Sequence, residues 1–157
     1  MNQDTENLLH GAVDRVQRAI QDRARPAVAV LQGDRLVVLS DYDYLRDEET
    51  AAAFEERAAA KAREVHAVRW VFAVPQVLVL VDGAVAARAA SDLPLREGER
   101  EAIMWMSCDP ADGVDYGLVP YVRRPGCELV FDDPEVFAVP VRPGERVPGM
   151  RLLRGIA

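Results

Sequence analysis

Side chains that do chemistry are scarce in this chain. Its 157 residues include three serines (Ser40, Ser91, Ser107), two threonines, two histidines and a single lysine, Lys61. A Ser-His-Asp arrangement would have only His10 and His66 to draw on. His10 sits beside Leu9 near the start of an amphipathic segment. His66 falls at the end of a second such segment, where an imidazolium complements the helix dipole. Both read as structural or solvent-facing. Lys61 lies between Arg57 and Glu64 on a charged face, not in the apolar setting that depresses a lysine pKa. Cys108 and Cys127 are the only cysteines. In a reducing compartment they are expected to be free thiols, and neither stands in zinc-type spacing with a histidine. The phosphate loop G-x-x-x-x-G-K-[ST], the dinucleotide fingerprint G-x-G-x-x-G, the G-x-S-x-G elbow and H-E-x-x-H are all absent from the sequence. No cofactor is therefore expected.

Long apolar runs are also missing. Nothing approaches the ~20 residues that span a bilayer. The opening "MNQDTENLLHGAVDRVQ" is acidic where a signal peptide is basic. No membrane association and a cytoplasmic location are expected. The near-absence of lysine beside abundant Arg, Ala, Val, Asp and Pro suggests a GC-rich bacterial genome.

What the chain does contain is half apolar residues and 29% charged ones, with a net charge of −7. Length and composition predict one domain over residues 1–157, large enough for a core without staples. The acidic balance disfavours phosphate backbones and so argues against a nucleic-acid partner.

Leu9, Val13, Val16 and Ile20, with Leu8, Ala12 and Ala19, predict a first helix, capped by Thr5 and stopped by Pro26. "AVAVLQGDRLVVLS" predicts a hairpin turning on the two residues Gly33-Asp34, with both strands inside a sheet. A second helix is expected over 48–66, capped by Asp47, with a narrow stripe of Phe54, Ala58, Ala62 and Val65. "VRWVFAVPQVLVLVDGAVAARAAS" predicts another hairpin, turning at Asp82-Gly83. Pro75 either divides its first strand or bends it. Residues 99–107 fit a short helix somewhat better than a strand. Beyond Asp109, glycines and prolines, including Pro125-Gly126, Pro143-Gly144 and Pro148-Gly149, predict a turn-rich extension of the same domain over 108–157. Short strands are expected there around 118–122, 128–131 and 136–141. The helix-hairpin-helix-hairpin order predicts an α+β fold with a predominantly antiparallel sheet and two long helices. Trp70 and Trp105, in apolar runs, are expected in the core.

Carboxylates are the one abundant reactive group. Asp41 and Asp43 follow an apolar strand, and Asp109, Asp112 and Asp115 crowd the stretch "CDPADGVDYG". Together, Asp41, Asp43, Asp109 and Asp112 could serve a divalent-metal-dependent hydrolase or nuclease. Asp109, Asp112 and Asp115 alone could hold a cation, although their spacing fails the EF-hand pattern. The plainer reading is a pair of turns, Asp109-Pro110 and Asp112-Gly113. In "DYDY" an extended strand would place Tyr42 and Tyr44 on one face, as interface anchors or as caps on the chain's own core. Phe131 and Phe137 flank the acidic "DDPE" and are candidates for the same role.

Sparse catalytic groups beside many apolar strands point to a non-enzymatic domain that works by protein–protein association. Continuous apolar strands need cover on both faces and both edges, more than the expected helices supply, and a homodimer or other homo-oligomer would complete it.

Overall fold

The structure is a computed structural model and describes residues 1–126, 128–141 and 147–156. Cys127 and the Pro143-Gly144 turn lie outside the described residues. Helix α1 (Gln3–Gln21) leads into strands β1 (Ala27–Gln32) and β2 (Leu36–Asp41). Helix α2 (Glu48–Glu64) is followed by β3 (Arg69–Val81), β4 (Ala84–Ala89), β5 (Arg100–Asp109) and β6 (Gly113–Arg123). Two short strands, β7 (Leu129–Phe131) and β8 (Glu135–Val136), and a closing helix α3 (Met150–Ile156) complete the α+β fold. Every named strand pairing is antiparallel, in the order β2-β1-β3-β5-β6-β7, with β4 beside β3 and β8 beside β6.

The sheet is covered on both faces. Alternate residues Val28, Val30, Val71, Ala73, Ile103 and Trp105 meet the apolar stripe of α1. The intervening Ala27, Ala29, Leu31, Trp70, Phe72 and Met106 meet α2 and α3. A third patch, Leu78, Ala102, Met104 and Leu118, is roofed by Phe137, Val139 and Val141. Trp70 and Trp105 are core residues, 2% and 1% exposed.

Several local expectations need correction. The N-cap of α1 is Asn2, whose side chain accepts from the Thr5 amide at 3.0 Å, and Thr5 itself is buried inside the helix. Pro26 does not end that helix. It closes at Arg23, whose φ of 63° and the bonds Ala24 N–H to Ala19 and Arg23 N–H to Ile20 form a Schellman motif. His66, at φ 54°, ends α2 in the same way. The first hairpin turns on three residues, because Gln32 pairs with Leu36. Gly33 is obligatory there, since a Cβ would lie 2.1 Å from the Val65 carbonyl oxygen. The second hairpin does turn on two residues, Asp82 (φ 51°) and Gly83 (φ 79°), as a type I′ turn requires.

Residues 99–107 are not helical. Residues 100–107 lie in β5, an inner strand buried on both faces, which erases any polar–apolar alternation. Pro75 does not break β3. It falls where the ladder on one edge changes partner: β1 pairs with Arg69–Ala73 and β4 with Gln76–Val81, so Val74 and Pro75 face neither. A residue without an N–H costs nothing at that gap.

In the extension, 118–122 belongs to the longer β6 and 129–131 forms β7; of the third expected strand, 136–141, Val136 pairs within β8 and Val141 forms an isolated bridge to Val85. Helix α3 lies where the sequence predicts only turns. Its first amides, Arg151 and Leu152, donate to the buried carboxylate of Glu55 at 3.0 and 3.2 Å, while the Tyr44 hydroxyl donates to the same carboxylate at 2.6 Å. Arg151 also donates to Glu48, and Arg63 to the Gly155 carbonyl. Gly155 lets the two helices touch: a Cβ there would come within 2.7 Å of Ala59.

Gly117 faces Trp105 across the β5–β6 ladder, and a Cβ would stand 2.1 Å from the Glu135 carbonyl oxygen and 2.2 Å from the indole. Gly117→Ala is expected to lower stability by about 3 kcal/mol in a denaturant melt, because neither the sheet backbone nor a buried indole can move aside. A cost under about 1 kcal/mol would show that this packing is looser than described.

Candidate functional site

The carboxylates do not converge. Asp41 ends β2 on the α2 face, 3.7 Å from Arg57, and accepts from the Asp43 amide at 2.7 Å. Asp43 is exposed in the turn. Asp109 ends β5 on the α1 face, 3% exposed, and accepts from the Thr5 hydroxyl. Continued through the ladder, the row of Asp41 and Ala27 reaches Val74 and Met104, five residues short of Asp109. With β1 and β3 between them, the two clusters stand on the order of 20 Å apart. They also occupy opposite faces of the sheet, so Asp41 and Asp43 cannot share a metal ion with Asp109 or Asp112.

Within the second cluster, Asp109 also accepts from the amides of Ala111 and Asp112, at 2.7 and 3.3 Å. Those bonds close the turn that "DPADG" describes. Asp112 pairs with the Met1 amino group at 2.9 Å, and Asp115 lies on β6 opposite Ser107. Among the described residues, no three His, Cys, Asp or Glu side chains group as metal ligands. The bond from Thr5, aided by the two turn amides, holds the Asp109 carboxyl below the usual range. Burial, with Asp109 next to it, pushes the Cys108 thiol up and away from nucleophilic character.

The aromatic candidates divide. Residues 42–46 form turns rather than extended strand, so "DYDY" does not alternate. Tyr42 is 66% exposed, whereas Tyr44 is 5% exposed and capped by Glu55, filling the chain's own core. Phe131 packs against Tyr121 with its ring tilted, centroids 5.2 Å apart, and Phe137 packs over the third core patch; both are half-buried. His66 Nδ1 lies 2.7 Å from the Asp34 carboxylate on the surface, and Lys61 pairs with Glu64 at 3.1 Å.

The feature that sequence reasoning passed over is the outer edge of β2. Its partner on one side is β1; among the described residues no strand pairs with the other side. The remaining edges are blunted. β7 and β8 are three and two residues long, separated by Asp132, Asp133 and Pro134. The outer side of β4 carries Arg88 and is bridged by Val85 pairing with Val141. β2 is six residues long, reads Leu-Val-Val-Leu-Ser-Asp, and holds no lysine, proline or bulge. Such an edge invites another strand. Its side chains are half-covered: Val38 leans on the α1 layer, Val37 and Leu39 on the α2 layer, while Leu36 is 57% exposed. The expectation that both strands of this hairpin lie inside the sheet therefore holds for β1 and fails for β2.

No protein family matches this sequence, and neither a curated protein nor a solved structure matches the chain. Among the described residues, no helix is long and apolar enough to cross a membrane.

Two outcomes follow from the aspartate geometry. A group whose folded pKa is depressed adds stability above its unfolded pKa of about 3.9 and loses it as pH falls. Asp109→Asn is therefore expected to melt below the wild type at pH 7, with the difference shrinking below about pH 5; a pH-independent difference would assign the loss to packing instead. Addition of Mg²⁺, Mn²⁺ or Ca²⁺ is expected to leave Tm unchanged. A rise of about 5 °C would reveal a cation site that these carboxylates do not form.

Proposed function

We propose that the chain is a self-associating, non-enzymatic interaction domain, in which two copies join along β2 to form one continuous antiparallel sheet. The supporting observation is the open edge of that strand, six residues with Asp41 at its end as its one charge, on a molecule whose other edges are short, charged or bridged.

A two-fold axis through Val38 gives a register that suits the residues. Val38 meets its own copy, Val37 meets Leu39, and Leu36 meets Ser40. Arg35, just before the strand, comes opposite Asp41 of the second copy. Arg35 and Asp41 both lie on the α2 face, beside Glu64 and Arg57 respectively. Residues directly opposite in an antiparallel pair share a face, so the two charges are attracted across the join. Leu36 and Tyr42, the exposed apolar residues at the strand's two ends, extend the contact beyond the backbone. An isologous join of this kind closes on itself and leaves no further open edge at β2.

Sedimentation equilibrium at tens of micromolar is expected to show a dimer for the wild type. The double variant Leu36→Lys, Ser40→Lys brings lysines opposite one another across the join and is expected to run as a monomer of near-unchanged thermal stability, since both positions are exposed. A monomeric wild type would remove the basis of this reading.

A further inference from the structure

A second feature lies away from β2. Where α1 ends, the chain, the 91–95 loop and the ends of β5 and β6 enclose a cleft of about 820 Å³. Its size lies in the range of pockets that bury a small organic ligand. Ile20, Leu129 and the ring of Tyr121 supply apolar floor. Tyr121 is 4% exposed, and burial together with Glu101 pushes its phenol up to about 12, so it stays a neutral hydroxyl.

The rim is cationic on an otherwise acidic molecule. Of the acids lining the cleft, Glu99 is held by Nε and Nη2 of Arg88, at 2.8 and 3.0 Å. Glu101 is held by Arg123 at 3.1 Å, and Asp92 by Arg25 at 2.6 Å. Arg23 and Arg100 remain. Both are exposed lining residues, and among the described residues neither has a carboxylate partner. Arg23 moreover occupies the left-handed position of the α1 Schellman motif, which glycine fills without strain. A guanidinium therefore stands at the mouth of the cleft where backbone preference favours a residue without a side chain. The Asp92 carboxylate, 96% exposed, pairs with Arg25 at 2.6 Å on the same rim.

We propose that this cleft binds a small organic anion: an apolar body on the Ile20–Tyr121–Leu129 floor, ending in one carboxylate held by Arg23 and Arg100. Arginine's planar fork suits that head group. The proposal is independent of the β2 join.

Octanoate, octanol and octylammonium titrated into the ¹⁵N-labelled full chain test it. Octanoate is expected to give saturable amide shifts confined to residues 20–25, 91–95, 99–101 and 121–123, and the other two probes none. Arg23→Gly and Arg100→Ala are each expected to weaken octanoate binding on the order of tenfold. Arg23→Gly is expected to melt above the wild type, which separates lost binding from lost folding. Absent or scattered shifts, equal shifts from octanol or octylammonium, or unchanged affinity in Arg23→Gly would each overturn the proposal.

Discussion

The architecture depends on β3 being paired along both edges. Its far edge is occupied by β5 from Trp70 to Leu78, and its near edge is shared between β1 and β4. A thirteen-residue strand can hold two successive partners on one edge only if the changeover leaves no orphaned donor. Pro75 lies at that changeover. Everything outward follows from it: β1 carries β2 to one margin, β5 carries β6 to the other, and β4 turns back to shape the cleft-bearing end.

Two buried carboxylates hold the helical layers to this sheet. Asp109 receives Thr5 from α1 on one face, and Glu55 receives Tyr44 and the first amides of α3 on the other. Each satisfies donors that would otherwise be buried without partners. Asp109 also closes the turn after β5 by accepting from the amides of Ala111 and Asp112. The open surfaces of the molecule lie elsewhere, at the β2 edge and in the arginine-rimmed cleft.

Legibility followed the number of faces each element buries. Helices α1 and α2 bury one stripe each, so Leu9, Val13, Val16 and Phe54, Ala58, Ala62 could be read from spacing alone. β5 buries both faces, and "AIMWM" carries no period that distinguishes strand from helix. Helix α3 has a short, weak pattern; it forms against Glu55, a residue almost a hundred positions away in sequence. Neither site was legible, since an open edge and a cleft arise from which strands end up at the margins.

The sequence by itself determined the class of the protein. Apolar periodicity and turn residues set a mixed α+β fold, because those depend on neighbours a few residues apart. Only the tertiary structure decided which tyrosine is buried, which aspartates meet and which strand edge stays open. Those outcomes depend on partners brought together across the sheet. A one-residue change in a turn, as in the three-residue loop after Gln32, redirects every side chain beyond it.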